Sequence, residues 1–447
     1  MKAQKIFQSI KRSSYITLIF ALLLAALLLA SCGVDGSKQI GPLNDGSGIR
    51  SQIVVISDIH LGADIAYAEI NQNRAALVDF LGQVQDSPTV AELVINGDFF
   101  DEWFVPATTD TYAGKDQADF VRRIASTNSE VFEAFNRIIQ AGQIKVTYVP
   151  GNHDLGITAG NVDSVLPGIN QARDDVQGLG TYYPDGHPEI AIEHGHRYNF
   201  FCAPDTLSNS KLAPGSILPP GYFYTRIATL HVVQKCTTPG DVIPEVTPNP
   251  DGGVNQELTY VYWNIWKNLL QKLPVENGFT DKIIVTNIDG FTQTYAISDI
   301  MPFQASPGGF IDMNLYKGSL DNWDERQTIN HVAVHSGTLE ALQTAAEASG
   351  TDDQAERQYF DNTASNVRIV VFGHTHAAKI IPGVNHAGLK TIYANSGTWI
   401  DHNPENTTMD FLVISPRQQV PDSMIKVQLF AIEDGRATEL VANELQL

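Results

Sequence analysis

Cysteine is almost absent: the chain has three in 447 residues and no Cys-x-x-Cys pair. A structural zinc site built on paired thiolates is therefore not expected. Apart from Cys32 there are only Cys202 and Cys236, which read either as a disulfide in an exported protein or as two unpaired buried thiols. Basic side chains are scarce as well, 29 Lys and Arg against 50 Asp and Glu, for a formal net charge of −21. A surface of that sign argues against nucleic acid or an anionic lipid surface as a macromolecular partner. A small phosphorylated substrate stays open, because bound cations can set the field at a site. No internal repeat is visible, and nothing in the composition points to an oligomeric state.

Long apolar runs are missing too, with one exception. Tyr15 to Ala30 is apolar except for Thr17 and follows a basic region made by Lys2, Lys5, Lys11 and Arg12. It is short for a membrane span and fits the apolar core of an export signal. Leu29-Ala30-Ser31-Cys32 then resembles a bacterial lipobox, in which the cysteine is lipidated and becomes the mature N-terminus. Residues 1–31 are thus expected to be a lipoprotein signal peptide. Residues 32–50, rich in Gly, Ser, Asp and Asn, are expected to be a flexible tether. An uncleaved membrane anchor with an incidental Cys32 is the other reading. Either way the body is expected outside the cytoplasm, held to a membrane and facing the periplasm or the cell surface. The signal region carries four basic and no acidic side chains, so its removal takes the charge from −21 to −25.

What is present is a series of apolar runs that each stop at a polar cluster. The clearest is Leu93 to Ile95, which ends at Asn96-Gly97 and delivers Asp98 at the C-terminal edge of a buried strand, where open α/β sheets place ligands. One carboxylate can hold a different cation with each oxygen. Upstream, Gln52 to Ser57 reads as a strand closed by Asp58-Ile59-His60. Side chains two apart on extended backbone face the same way, so Asp58 and His60 can meet one ion. Helical periodicity covers 68–84 and 120–139. The strand Lys145 to Val149 precedes Pro150-Gly151-Asn152-His153-Asp154, and Glu189 to Glu193 precedes His194-Gly195-His196. Val367 to Phe372 precedes Gly373-His374-Thr375-His376. Thr391 to Ala394, Asp410 to Ile414 and Ile425 to Ile432 read as strands of a second sheet.

Between about 203 and 323 the texture changes to scattered prolines mixed with Tyr222, Phe223, Tyr224, Tyr260, Tyr262, Trp263 and Trp266. This reads as a large irregular insertion with one helix around 255–273 and hairpins over 282–298. Its position between two polar clusters suits a lid or substrate wall, and the alternative is packing, with the aromatics as core. Helices over 324–348 and 354–360 then return to the main body.

Asp58, His60, Asp98, Asn152, His153, His194, His374 and His376 together offer carboxylate, imidazole and amide oxygen without thiolate. That donor set suits Mn, Fe or Zn, and two divalent or trivalent ions would need one shared ligand. Asp58-Ile-His60, Gly97-Asp98-Phe-Phe-Asp101, Gly151-Asn152-His153-Asp154, His194-Gly-His196 and Gly373-His374-Thr-His376 resemble the five motifs of the calcineurin-like metallophosphoesterases. The resemblance implies an α/β fold, a four-layer αββα sandwich with a large irregular insertion, formed by residues 51–447. It implies Asp58, His60 and His376 on one metal, Asn152, His194 and His374 on the other, and Asp98 bridging. It implies His153 as the acid or phosphoryl-binding group, with Asp154 orienting it. The activity implied is hydrolysis of phosphate mono- or diesters by in-line attack of a metal-bridging hydroxide.

His196 is read as supporting or substrate-facing. Arg197 and Asn199 are weaker candidates for phosphate contact, Arg197 more readily explained by a salt bridge. The segments Gly97 to Trp103, His194-Gly and Asn395-Ser-Gly-Thr-Trp399 are further similar to UDP-diacylglucosamine pyrophosphatases. Those are cytoplasmic enzymes that typically carry Arg where His153 stands, and export and the insertion also separate this chain from them. The alternatives are a pyrophosphatase acting on nucleotide-linked or lipid-linked pyrophosphate, and a surface lipoprotein that binds metal without turnover.

Overall fold

In Gln52–Ile56 (β1) every side chain is buried, but alternate ones enter different cores. Ile53 and Val55 join one apolar cluster, Val54 and Ile56 another. A period of two on a strand buried on both faces means that something covers each side of the sheet. The computed structural model, which describes residues 40–345, 347–404, 406–416 and 424–446, shows what does.

Taken in chain order, β1, Val90–Asn96 (β2), Lys145–Val149 (β3) and Asn170–Gln171 (β4) lie side by side in parallel. Thr181–Tyr182 (β5) and Ile190–Glu193 (β6) then open a second sheet. Two short hairpins, Ile284–Val285 (β7) with Thr294–Tyr295 (β8) and Phe303–Gln304 (β9) with Ile311–Asp312 (β10), stand apart in the long segment that follows. Ile369–Phe372 (β11) returns parallel to β6; Lys379–Val384 (β12) and Lys390–Asn395 (β13) extend the second sheet to the order β12-β13-β11-β6-β5. Asp410–Ser415 (β14) goes back to the first sheet, antiparallel to β1, and carries Met424–Glu433 (β15) and Arg436–Gln446 (β16) with it. This corrects the expectation that 410–414 and 425–432 belong to a second sheet. Alternation identifies a strand but not its neighbour, and the pairing Val55↔Leu412, Ile53↔Ile414 is a long-range choice.

The two sheets face each other across Ile53, Val55, Val94, Ile192, Ile369, Val371, Leu412 and Ile414. Helices Arg74–Asp86 and Ser129–Ala141 cover the outer face of the first sheet with Leu77, Phe80, Leu81, Val131, Phe135 and Ile138. The turn Glu356–Phe360 packs Phe360, with Ala355, on the outer side of Val370 and Phe372. The fold is thus a four-layer αββα sandwich, and each fully buried Leu, Ile or Phe contributes about 1.5–3 kcal/mol to it.

Several helices differ from the periodicity. The single helix expected over 120–139 is two, Gln117–Thr127 and Ser129–Ala141, broken at Asn128, whose amide donates to the carbonyls of Gly62 and Ile124. The first helix begins at Arg74 rather than 68, and the insertion has two long helices rather than the one expected, Pro220–Gln234 and Gly253–Leu270. The helix expected over 324–348 is interrupted after Trp323–Ile329 and resumes at Thr338–Thr344, with a left-handed His331 between.

The insertion is packed rather than poised. Tyr222, Phe223, Tyr224, Tyr262, Trp263 and Trp266 are buried in the same core as Phe200, Phe201 and Trp103. Its helix Pro220–Gln234 carries Arg226, fully buried, which donates to the carbonyls of Val105, Pro106, Thr109 and Val285 and to Thr111 Oγ1. One buried cation therefore ties the insertion to the loop after β2. Cys202 and Cys236 are unpaired.

The signal region, Cys32 and residues 33–39 lie outside the described residues. Part of the expected tether is docked: Leu43 is buried, and its carbonyl accepts from Ser87 Oγ at 2.6 Å and Thr89 Oγ1 at 3.2 Å. Among the described residues no helix is long and apolar enough to cross a membrane.

Candidate metal centre

The loops that leave the C-terminal ends of β1, β2, β3, β6 and β11 converge on one point. Asp58, His60, Asp98, His374 and His376 all adopt positive φ, between 51° and 68°. For non-glycine residues this region is disfavoured, at a cost on the order of 1–3 kcal/mol each, and it persists only where the surroundings over-determine it. It corrects the expected route to the Asp58–His60 pair: β1 ends at Ile56, and the two side chains meet by turning, not by extended alternation. Close approach also demands glycine. A Cβ on Gly97, at φ +84°, would lie 2.3 Å from His194 Nδ1, and one on Gly151 would lie 2.2 Å from Asp98 Oδ1.

Three groups of donor atoms result; one, His60, Glu69, Asp101 and His153, flanks the centre, and the other two form it. Asp58, His60 and His376 form one, with His376 Nε2 3.2 Å from Asp58 Oδ1 and 3.2 Å from His60 Nε2. Asp98, His194 and His374 form the other, with His194 Nε2 3.2 Å from Asp98 Oδ2 and 3.2 Å from Asn152 Oδ1. Asp98 Oδ2 stands 3.7 Å from His60 Nε2, between the groups. His374 and His376, two residues apart, serve different groups. All seven expected ligands are therefore brought together.

The outer hydrogen bonds aim the imidazoles inward. His60 Nδ1 pairs with Asp101 Oδ2 at 2.9 Å and His194 Nδ1 donates to the Asn96 carbonyl at 2.8 Å, so each turns Nε2 to the centre. Two ring nitrogens facing each other at 3.2 Å, with carboxylates around them and no thiolate, fit cations of the Mn, Fe or Zn class. Burial, with His194 beside it, pushes His374 down to about 3, so it is a neutral donor. Burial would lower His194, but Asp98 and Asp58 outweigh it and bring it up to about 9. Burial would raise Asp98, yet His194 and His153 hold it well below the usual carboxylate range.

His153 sits beside this pair, its ring 4.6 Å from that of His60 and stacked on Trp103 at 4.9 Å. Its Nδ1 pairs with Asp101 Oδ1 at 2.8 Å. Asp154, expected to orient His153, does something else. Its carboxylate accepts from the backbone N–H of Gly151, Phe99 and Phe100, pinning the β3 loop to the β2 loop. Asp101 is thus the residue that sequence reasoning left without a role, although it stands in a quoted motif three positions after Asp98. Glu69, 3.3 Å from His60 Nδ1, lies in a loop with no motif signal. His196 points away from the centre: Nε2 donates to the Gly178 carbonyl at 3.0 Å, and burial together with His194 keeps it neutral. Arg197 is paired with Asp174 and Glu193, and Asn199 donates to the Ala345 carbonyl, so neither is a phosphate contact.

Residues 51–229 match the family described as calcineurin-like phosphoesterase. Over residues 51–229 the chain thus belongs to the calcineurin-like metallophosphoesterase superfamily. Four of the five polar clusters fall inside the matched region, and β11 brings the fifth, His374 and His376, to the same place. The phosphoesterase is a metal-dependent hydrolase, and two of its candidate metal-binding clusters, those of Asp58 and Asp98, together suggest a dinuclear centre. No curated protein matches the chain. Among solved structures, the calcineurin-like phosphoesterase YfkN from Bacillus subtilis aligns at 10% identity over 89% of this chain and 90% of that one, with a TM-score of 0.24, too low to bear on the fold.

Proposed function

We propose that this metallophosphoesterase is exported, is anchored to a membrane through lipidated Cys32, and hydrolyses phosphate mono- or diesters at the centre described above. Asp58, His60 and His376 hold one ion, Asn152, His194 and His374 the second, and Asp98 both. The single observation that supports this most is the placement of Asp98 Oδ2 between His60 Nε2 and His194 Nε2, at 3.7 and 3.2 Å. Bound there, two cations supply the positive charge that acidifies water and draws in phosphoryl oxygens for in-line displacement.

The protein's own contribution is positional. Asp101 receives the Nδ1 proton of His153, which leaves Nε2 as the nitrogen that faces substrate, and Trp103 holds the ring plane. Burial would lower His153, but Asp101 and Asp98 raise it, so the ring carries a proton to give to a leaving oxygen. Asp101 also holds His60, so one carboxylate sets a ligand and the acid together.

The test is direct. Protein stripped with chelator and reloaded with Mn²⁺ should release p-nitrophenol from bis-p-nitrophenyl phosphate or p-nitrophenyl phosphate, and the preferred ester identifies the class. Inert reloaded protein would overturn the hydrolase reading. The anchor has its own test: incorporation of labelled fatty acid, lost in Cys32→Ser.

A further inference from the structure

The metal centre and the first described residues sit at opposite ends of the same two strands. Gly41 and Asn44 close a tight turn through reciprocal backbone bonds of 2.9 and 3.0 Å, and Leu43 between them is buried. The Leu43 carbonyl is held by Ser87 and Thr89, and the Pro42 carbonyl by Gln52 Nε2 at 3.1 Å. Gln52 begins β1, and Thr89 immediately precedes β2. Asp58 and Asp98 lie just past the other ends of those strands. Six residues at about 3.3 Å each place roughly 20 Å between this docking point and the metal ligands. Both strands are central in the order β16-β15-β14-β1-β2-β3-β4, so the chain emerges in the middle of the base rather than at an edge.

Only residues 33–40 separate Cys32 from that docked turn. Fully extended they reach at most about 30 Å. A body of this length is about 55 Å across. To lay the metal centre on the bilayer, the tether would have to run out from the middle of the base, round the body and up its side, farther than it can extend. A body with a formal net charge of −21, four units more negative once the four basic residues of the signal region are removed, also resists lying flat on anionic headgroups.

We infer that the anchored enzyme stands with its base toward the bilayer and its metal centre turned away, and that its substrates are water-soluble phosphate esters rather than lipids of the membrane that carries it. This rests on the lipid anchor proposed above. The test uses full-length, metal-loaded protein in phosphatidylcholine vesicles bearing an acceptor dye on the headgroups. In a Cys202→Ser, Cys236→Ser background, a donor dye is attached at Gln83→Cys beside the base. Alternatively it is attached at His402→Cys, next to Asn403, whose side chain donates to the His376 carbonyl. With roughly 20 Å between base and rim, energy transfer from position 83 should exceed that from 402 by about twofold or more. Equal or greater transfer from 402 overturns the inference.

Inserting about 30 flexible residues after Gly36 should erase that difference and raise cleavage of phosphatidyl-p-nitrophenol in the enzyme's own vesicles by about tenfold. Cleavage of bis-p-nitrophenyl phosphate should not change. Wild type cleaving the bilayer-resident ester as fast as the lengthened chain overturns the inference. Failure of the anchor reading looks different: the protein stays in the supernatant when vesicles are sedimented, and Cys32→Ser behaves as wild type.

Discussion

The strand ends and the insertion use polar groups in opposite ways. At the strand ends, Asp58, His60 and Asp98 are buried with their donors aimed at one another, on left-handed backbone that no hydrogen-bond economy would choose. In the insertion and the helix that follows it, buried Arg226 and Arg326 satisfy carbonyls: Arg226 those of the 105–109 loop, Arg326 those of Ala203 and Pro204. One region leaves donor capacity unspent around a point, and the other spends it on holding chain to chain. The first pattern is that of a site, the second that of a scaffold.

The comparison breaks first at Asp98. Asp98→Asn removes the negative charge between the two groups, worth several kcal/mol of transition-state stabilisation, and should lower turnover by at least about 10³-fold. Elemental analysis should find fewer metals per chain while circular dichroism stays unchanged; two metals with full turnover would mean that Asp98 does not join the groups. His153→Ala should keep its metals and lose about 10²–10⁴-fold in turnover, most on esters with poor leaving groups. Equal rates with wild type on a poor leaving group would remove it from the proton-transfer role. In the scaffold region, Arg226→Met strands several buried carbonyls and should cost about 3 kcal/mol or more in urea unfolding. Turnover per folded molecule should hardly move; a large loss there would make the insertion part of the site.

The same contrast explains what could be read from the chain beforehand. Each strand-end cluster is contiguous, an apolar run followed by Asp, Asn or His, so local spacing announces it, and the matching family region covers four of the five. The αββα layering followed from that resemblance. Which residue orients which did not, because Asp101 and Asp154 are both acidic residues near His153 in space, and only the loop geometry sends Asp101 to the imidazole and Asp154 to three backbone amides. The insertion's aromatics carried no period that separates a lid from a core. Burial of Tyr222, Trp263 and Trp266 is a tertiary fact. The sheet that receives β14 and β15 was likewise hidden, since pairing partners are far apart in sequence.

A finer cut falls on Asp101, which serves both a ligand and the acid. Asp101→Asn keeps its shape but weakens its grip on His60 and His153 together, and a change in such an outer partner typically costs about 10–100-fold in metal affinity or activity. Metal titration and turnover should fall in the same variant. A loss of turnover with metal affinity intact would assign Asp101 to His153 alone.

The smallest effect is expected at Glu102, one residue beyond Asp101 yet on the scaffold side of the divide. Burial pushes its carboxyl up to about 7, despite hydrogen bonds from Tyr112 and Gln117 that favour the charged form. The folded-state value lies above the unfolded one, so the native protein binds an extra proton at mildly acid pH. Stability from this group is therefore full below about pH 4.5 and is lost as pH rises through about 7. Glu102→Gln keeps an oxygen for Tyr112 and is neutral throughout. It should match wild type near pH 4.5 and be more stable at pH 8, by on the order of 2 kcal/mol in denaturant unfolding. Parallel stability curves for the two proteins across that range would show that Glu102 is charged in the fold. The boundary between site and scaffold would then have to be drawn on the far side of it.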